Sequence, residues 1–292
     1  MRGREAGKVV LVTGGSFGIG LATAHKLAEA GAVTIICGGD QAKLAAAKKE
    51  INLKGFDVTI YPVNLADMAD CDRFLQALIA NHGHVDVLVN NTGRSIRRAV
   101  EASYDRFHDF ERTMQLNYFG ALRVTMGLLP KMVAQKSGQV INISSIGVLT
   151  NAPRFSAYVA SKAALDAWTL CAASEFADVG VKFTTLNMPL VRTPMIAPTK
   201  VYQNMPTLTP EEAADLVVQA LVNKPVRIAT KVGIAGQGLQ TLTPHVAQSV
   251  LNTAFRMFSD SEAAAGKGAE TKAHEVSPEL LAMQHLLRGV HL

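Results

Sequence analysis

A tyrosine and a lysine, Tyr158 and Lys162, stand four residues apart in a segment of small and apolar residues. On a helix, side chains at this spacing share one face. A phenol has a reference pKa of about 10, and a neighbouring ammonium group stabilises its phenolate form. We therefore expect Tyr158 to act as a general acid and base, with Lys162 as its electrostatic partner.

A serine, Ser145, lies thirteen residues before the tyrosine, at the end of a strand-like run. The carboxyl ends of strands in a parallel sheet are where such sheets bind ligands. A hydroxyl at that edge can hold a substrate carbonyl oxygen beside Tyr158. The three side chains together predict acid–base chemistry on a carbonyl group.

A glycine-rich turn follows the first strand-like run and opens the first helical one. It consists of Thr13, Gly14, Gly15, Ser16, Phe17, Gly18, Ile19 and Gly20. Glycines let a backbone pass close to a pyrophosphate, and a helix N-terminus supplies free N–H groups and positive potential. Because the turn begins a strand–helix–strand unit, we interpret it as a dinucleotide site and not as a purely structural turn.

The elements that must position these residues are predicted by seven short apolar runs that alternate with longer helical patterns. The runs cover residues 8–13, 33–37, 58–63, 85–90, 139–144, 181–187 and 226–230, and the helical patterns cover residues 19–30, 40–53, 67–81, 104–134, 157–177 and 210–223. Near-continuous apolar runs are typical of strands buried on both faces of a sheet. We predict one α/β domain over residues 1–231, with a Rossmann-type, doubly wound parallel sheet of about seven strands.

The pattern changes after residue 231, and residues 232–292 are predicted to form a helical extension of this domain. Residues 232–258 are mildly amphipathic and predict one or two helices. Residues 259–278 are small, polar and charged, which predicts a mobile linker. Residues 279–287 predict a short terminal helix.

The composition narrows the function classes further. Apolar residues make up 48% of the 292 residues and no run approaches a membrane span, so we expect a globular protein without a transmembrane segment. Three scattered cysteines indicate reduced thiols in a cytoplasmic protein and no zinc site. The net charge of +5 suits an anionic ligand but is too small and dispersed for nucleic acid.

These motifs together resemble the short-chain dehydrogenase/reductase family. The glycine turn has that family's TGxxxGxG spacing, and Tyr158 and Lys162 match its YxxxK pair. The family's second signature is matched by Asn90, Asn91, Thr92 and Gly93, with threonine where alanine is usual. The resemblance, which spans residues 8–230, implies an NAD(P)-dependent oxidoreductase, and we expect a homo-oligomer. The thirteen-residue spacing favours Ser145 over its neighbour Ser144 as the catalytic serine.

The resemblance also assigns residues around the dinucleotide. It implies that Asn117 holds a water molecule for proton relay to Lys162, although a helix-packing amide is the alternative. The implied cofactor-binding set comprises Gly14, Ser16, Phe17, Gly18, Ile19, Gly20, Gly38, Gly39, Asp40, Asn64, Leu65, Asn91, Thr92, Gly93, Tyr158, Lys162, Pro189, Val191 and Thr193.

The choice between NAD and NADP normally depends on the end of the second strand, where an acidic residue accepts from a ribose hydroxyl and an arginine pairs with a 2′-phosphate. Here Gly38 and Gly39 occupy those two positions. Asp40 follows, either as a ribose ligand or, as we favour, as the N-cap of the next helix. From the resemblance and the net positive charge we predict NADPH as the cofactor, with NADH as the alternative.

Four local segments, residues 94–100, 105–120, 188–199 and 206–215, resemble bacterial long-chain fatty acyl-CoA reductases. That resemblance implies reduction of acyl-CoA to aldehyde with NADPH, in some cases by a domain of a longer polypeptide. Arginines suit phosphates, so we expect Arg94, Arg97 and Arg98 to bind coenzyme A, and Met195 to help line an acyl channel.

Three alternatives to this interpretation stay open. The arginines could belong to a solvated basic loop, or form ion pairs with Glu101, Asp105 and Glu111. Within the same fold, the substrate could be a long-chain ketone such as a 3-keto sphingoid base. From another class, the chain could be a non-catalytic nucleotide-sensing or scaffolding module, for which the intact serine, tyrosine and lysine would be unnecessary.

Overall fold

The computed structural model describes residues 6–197, 202 and 205–257. Seven parallel strands form one sheet in the order β3-β2-β1-β4-β5-β6-β7. They are β1 (Val9–Thr13), β2 (Val33–Gly38), β3 (Thr59–Pro62), β4 (Val87–Asn90), β5 (Gly138–Ser145), β6 (Val181–Met188) and β7 (Arg227–Ala229). The predicted doubly wound sheet is confirmed. The predicted linker at 259–278 and helix at 279–287 lie outside the described residues.

Ten α-helices connect and extend these strands within the described part of the chain. They are α1 (Gly18–Glu29), α2 (Gln41–Leu53), α3 (Met68–His82), α4 (His108–Met114), α5 (Ala121–Ala134), α6 (Ile146–Thr150), α7 (Ser156–Glu175), α8 (Pro210–Asn223), α9 (Lys231–Leu242) and α10 (Pro244–Met257). The helix predicted over residues 104–134 instead begins at His108, and a π-helical segment, Gln115–Gly120, joins α4 to α5. The short helix α6 was not predicted.

The central strand β1 explains why two helical layers form. All five of its residues are buried, and successive side chains point to opposite faces of the sheet. Val10 and Val12 enter a core that includes side chains of α1, α2 and α8, whereas Val9 and Leu11 enter one that includes side chains of α3, α5 and α7. Burial of each such side chain contributes roughly 1.5–3 kcal/mol, so the sheet is stable only when both faces are covered.

Buried asparagines tie the middle of the sheet to the helices on one side. Asn90 Nδ2 donates to Asn142 Oδ1 at 2.8 Å and to Thr125 Oγ1 at 2.9 Å. Asn142 Nδ2 in turn donates to Thr169 Oγ1 at 2.8 Å. This chain of bonds joins β4 and β5 to α5 and α7. The second family signature therefore fixes the sheet that carries the candidate site.

The C-terminal extension contains two helices, as the sequence allowed, and α9 packs against α6. A Cβ atom at Gly233 would lie 2.9 Å from Leu149 Cδ1, so the two helices approach closely at this glycine. The side-chain amide of Gln240 donates to the Thr150 carbonyl at 2.5 Å. Further along, the guanidinium of Arg154 lies 4.0 Å from the centre of the Phe255 ring on α10. The extension thus supports the segment that follows Ser145.

Two further sequence expectations concern the cysteines and membrane spans. Cys37 and Cys71 are buried, as expected for core thiols, but Cys171 is exposed. Among the helices described, none combines the length and the apolar character that crossing a membrane requires.

Replacing Asn142 with alanine should lower the free energy of unfolding by about 1–3 kcal/mol, because its buried partners Asn90 on β4 and Thr169 on α7 lose hydrogen bonds. Urea denaturation measures this change. The control is Asn81→Ala, which removes an exposed amide that donates to the Tyr61 hydroxyl at 2.9 Å and should cost about 0.5 kcal/mol or less. Equal losses in the two variants would show that the buried bonds are not the stabilising feature.

Candidate active site

Loops at the carboxyl ends of the strands, together with α7, enclose a cavity of about 790 Å³. This edge is where the sequence places the ligand site. Most predicted site residues line it, namely Gly14, Ser16, Phe17, Gly18, Ile19, Gly38, Gly39, Asp40, Asn91, Thr92, Gly93, Arg97, Arg98, Ser145, Tyr158, Lys162, Pro189, Val191, Thr193 and Met195. The fold therefore brings the predicted cofactor, catalytic and substrate residues into one continuous space.

Five predicted residues, Gly20, Asn64, Leu65, Arg94 and Asn117, do not line this cavity. A Cβ atom at Gly20 would lie 2.2 Å from the Gly14 carbonyl oxygen, so Gly20 serves the packing of the turn. Asn64 is exposed and its Oδ1 accepts from Ala66 N, whereas the Leu65 side chain is buried in the core. Their predicted contact with adenine stays a prediction.

The glycine turn has the backbone that a phosphate cradle needs. Gly14 and Gly18 have φ angles of 66° and 56°, in the left-handed region that favours glycine. Helix α1 begins at Gly18, and its N-cap residue, Phe17, provides no side-chain hydrogen bond to the first turn. A Cβ atom at Gly18 would lie 3.1 Å from the Thr193 side chain. The uncapped helix end, facing the cavity, fits the pyrophosphate of a dinucleotide.

At the other end of the cavity, Asp40 is the N-cap of α2, as the sequence favoured. Its Oδ1 accepts from the Lys43 backbone N–H at 3.0 Å, and its Oδ2 lies 3.3 Å from Lys43 Nζ. The hydrogen bond from the Lys43 backbone is the main cause that lowers the pKa of Asp40. Lys43 also lines the cavity. Sequence reasoning missed this lysine, although its place one turn after an N-cap beside Gly38 and Gly39 pointed to it.

Ser145 and Tyr158 meet at the centre of the cavity. The Ser145 hydroxyl is hydrogen-bonded to the Tyr158 phenol and also accepts from Gly147 N at 3.1 Å, as the N-cap of α6. Burial raises the pKa of Tyr158, the bond to Ser145 lowers it, and the charge of Asp166 raises it further. In this structure the phenol is therefore held protonated. The predicted effect of Lys162 on the phenol stays a prediction.

Lys162 lies on α7 one turn after the tyrosine and is only 4% exposed. Its Nζ donates to the Ile143 carbonyl at 2.8 Å. Burial lowers the pKa of this ammonium to about 8, while the charge of Asp166 acts in the opposite direction. A Cβ atom at Gly93 would lie 3.3 Å from Lys162 Nζ, which explains why a glycine ends the second signature.

Asn117 lies fully buried in the π-helical segment and holds the loop after β4. Its Oδ1 accepts from Arg94 N at 2.8 Å, and its Nδ2 donates to Arg94 O at 2.9 Å. Nδ2 also donates to Ser161 Oγ on α7 at 2.9 Å. These bonds match the helix-packing alternative. The role of Asn117 in holding a relay water stays a prediction.

The three predicted substrate arginines have different surroundings. Arg94 is exposed and does not line the cavity, and its role as a coenzyme A ligand stays a prediction. Arg97 lines the cavity and is hydrogen-bonded to Tyr202, whose pKa burial raises and Arg97 lowers. Arg98 also lines the cavity, but its Nε lies 3.4 Å from Oδ2 of the buried Asp109.

The ion pairs of this loop centre on Asp109, a partner that the sequence did not single out. Arg106 Nε lies 3.2 Å from Asp109 Oδ2, and Arg112 contacts Oδ1. Burial alone would raise the pKa of Asp109, but the hydrogen bond from Arg106 and the charge of Arg112 lower it overall. Asp109 is buried against these arginines, whereas the predicted acidic partners Glu101, Asp105 and Glu111 are exposed.

The substrate side of the cavity is largely apolar. Its lining includes Ile143, Ile146, Thr150, Ala152, Phe155, Val159, Met188, Leu190, Met195 and Ile196. The sequence pointed to the segment after β6 but missed Ile146, Thr150, Ala152 and Phe155. They lie between Ser145 and Tyr158, so the chain that joins these two predicted catalytic residues must cross the site. Such a wall suits an acyl or alkyl chain.

A parallel sheet with a phosphate turn before α1 and a serine–tyrosine–lysine cluster at the same edge defines a nucleotide-dependent oxidoreductase. The family model described as short chain dehydrogenase matches residues 8–203. The chain therefore belongs to the short-chain dehydrogenase/reductase family.

Individual relatives give more detail. The chain is 52% identical over 261 residues to a fatty acyl-CoA reductase of Acinetobacter baylyi, covering 89% of this chain and 88% of that protein. It is 43% identical over 239 residues to a fatty acyl-CoA reductase of Mycobacterium tuberculosis, covering 82% and 81%. A solved metagenomic short-chain oxidoreductase in complex with NADP matches with a TM-score of 0.66 and 28% identity, covering 76% of this chain and 96% of that chain.

Proposed function

We propose that this oxidoreductase reduces long-chain fatty acyl-CoA to the fatty aldehyde with NADPH. The observation that carries the proposal is the cavity itself, in which an apolar wall meets Ser145 and Tyr158 at one end of a dinucleotide cradle. The names of the relatives from Acinetobacter and Mycobacterium support the same substrate class. A large apolar cavity with a few convergent polar groups suits a lipid chain with a reactive carbonyl.

In this proposal, bound NADPH supplies the hydride that reduces the thioester carbonyl. Ser145 and Tyr158 hold the carbonyl oxygen, and their hydroxyls stabilise the negative charge that develops on it. Tyr158 donates its proton to that oxygen, and Lys162 stabilises the resulting phenolate. Collapse of the adduct returns the oxygen-bound proton to the Tyr158 phenolate and expels the coenzyme A thiolate, which takes a proton from water; the aldehyde remains.

The cysteines argue against a covalent thioacyl enzyme. Cys37, Cys71 and Cys171 do not line the cavity. Burial raises the pKa of Cys37 to about 12, which keeps its thiol protonated and unreactive. Hydride therefore reaches a thioester that is still bound to coenzyme A.

The remaining features of the proposal follow the sequence interpretation. We propose a cytoplasmic homo-oligomer, with residues 1–231 as the dinucleotide-binding and catalytic domain and residues 232–292 as its extension. Membership of a longer polypeptide, known from the acyl-CoA reductases that the local segments resemble, stays a prediction.

Replacing Tyr158 with phenylalanine should reduce turnover of palmitoyl-CoA by about 10²–10⁴-fold, because the variant lacks the acid that protonates the carbonyl oxygen. The assay follows NADPH oxidation together with free thiol and aldehyde. Tyr61→Phe, which changes a tyrosine outside the cavity, is the matched control and should keep its rate and its dinucleotide affinity.

Two results would contradict the proposal. More than a tenth of the wild-type rate in Tyr158→Phe would reject the role of the phenol. Oxidation of NADPH with a 3-keto sphingoid base but none with palmitoyl-CoA would favour the ketone reductase, and no oxidation with either would favour a non-catalytic module.

The Lys43→Ala variant tests cofactor preference. Lys43 and the N-terminus of α2 border the open space at Gly38 and Gly39, which suits a 2′-phosphate. Because the lysine side chain is 63% exposed, its loss should raise the KM for NADPH only about fivefold, with little change for NADH. Lys49→Ala, on an exposed part of the same helix, is the control. Equal changes for both dinucleotides, or a better kcat/KM with NADH in the wild type, would overturn the preference.

Single replacements of Arg97 and Arg98 distinguish a residue that binds the phosphates of coenzyme A from one that stabilises the fold. Arg97→Ala should raise the KM for palmitoyl-CoA, and added salt should weaken binding less than in the wild type. Arg98→Ala should chiefly lower the melting temperature, because Asp109 loses a partner. A free long-chain ketone or aldehyde, which lacks phosphates, is the control substrate. If Arg97→Ala affects both substrates equally, the arginine does not bind coenzyme A.

A further inference from the structure

A buried carboxylate, Asp166, lies on α7 one turn after Lys162 and is 5% exposed. At this spacing the two side chains share one face of the helix. Asn187 Nδ2 donates to Asp166 Oδ2 at 3.1 Å, and the Ser144 side chain acts to lower the pKa of the carboxylate. A buried carboxylate is costly unless such donors satisfy it. The sequence weighed Ser144 only as a rival catalytic serine, whereas the structure assigns it to Asp166.

The cluster of Asp166, Ser144 and Asn187 also contacts the backbone of the predicted catalytic serine, Ser145. Ser144 and Asn187 are paired across β5 and β6. Asn187 Nδ2 lies 3.3 Å from the Ser145 carbonyl oxygen and 3.4 Å from Ser144 Oγ. Asp166 therefore connects the strand end that carries Ser145 to the helix that carries Tyr158 and Lys162.

The charge of Asp166 acts on the same residues. The Asp166 carboxylate interacts electrostatically with Lys162 and Tyr158 on its own helix and with Arg227 on β7. Burial raises the pKa of Asp166 overall, although Ser144, Asn187, Arg227 and Lys162 act in the opposite direction. In its ionised form this carboxylate favours the ammonium form of Lys162, whose pKa burial alone would lower further.

We propose that Asp166, with Ser144 and Asn187, is a positioning residue that fixes Ser145 relative to Tyr158 and supplies the buried negative charge opposite the Lys162 ammonium. The proposal rests on the oxidoreductase chemistry of the site and applies to any carbonyl substrate. Asp166 itself does not line the cavity and touches no reacting atom. Its effect must therefore be measured through Lys162.

The test is Asp166→Asn, which removes the charge with little change of shape. NMR of protein labelled with [¹³C]lysine, with Lys162 assigned from a Lys162→Arg sample, follows deprotonation of the ammonium without any substrate. The midpoint should fall by about 1 pH unit, because an opposite charge nearby typically shifts a pKa by that amount or more. The alkaline limb of kcat for reduction should move in the same direction, with about a fivefold loss of kcat at pH 8 because the Lys162 pKa starts at about 8.

Glu175→Gln is the matched control, because it removes an exposed carboxylate from the end of the same helix. It should leave the midpoint and the rate at their wild-type values. An unmoved Lys162 midpoint in Asp166→Asn overturns the proposal, even if the variant melts earlier, because a purely structural role would change stability alone.

If Asp166→Asn does not fold, Ser144→Ala carries the same test. Loss of the hydroxyl makes the carboxylate harder to keep ionised, so the Lys162 midpoint should fall by a smaller amount; no fall would overturn the proposal. The substrate-free titration also separates this proposal from the acyl-CoA assignment. Absence of thiol release from palmitoyl-CoA by the wild-type protein would defeat that assignment and leave the titration unaffected.

Discussion

The ammonium of Lys162 lies almost wholly inside the protein, and much of the candidate site is arranged around that buried charge. The β5 carbonyl of Ile143 accepts its hydrogen bond, Asp166 balances it from the same helix, and Gly93 leaves room for it. A buried charge without such partners is strongly destabilising. The strand end, the helix and the loop after β4 must therefore adopt their relative positions together, and this shared requirement also places Ser145 beside Tyr158.

The sheet could be predicted because strands buried on both faces leave a clear record of apolar runs between helical patterns. The predictions failed where structure depends on contacts distant in sequence. The π-helical segment lies inside a pattern that looks uniformly helical, and Asn117 stabilises it by hydrogen bonds to Arg94 and Ser161. Helix α6 is too short for periodicity to detect, and it begins where Ser145 caps it.

In the candidate site, too, the sequence predicted the features that depend on local patterns and missed those that depend on contacts distant in sequence. Motif spacing predicted the glycine turn and the Ser145, Tyr158 and Lys162 set, which the fold brings to one cavity, because each motif lies within one strand–helix unit whose backbone positions it. The roles of the arginines depended on which carboxylate is buried nearby, so Asp109 could not be distinguished from Asp105 or Glu111 in the sequence. Lys43 and Phe155 enter the cavity through the path of the chain around it, which no local pattern encodes.

The packing of α9 on α6 separates the shape of the apolar cavity wall from the positions of the reacting groups. The extension contacts the outer side of Ile146, Leu149 and Thr150, whereas Ser145 and Tyr158 are fixed by β5 and α7. Substitutions on α9 can therefore reshape the apolar wall of the cavity while the groups at the sheet edge keep their geometry. In this architecture the shape of the cavity can change through the C-terminal helices alone.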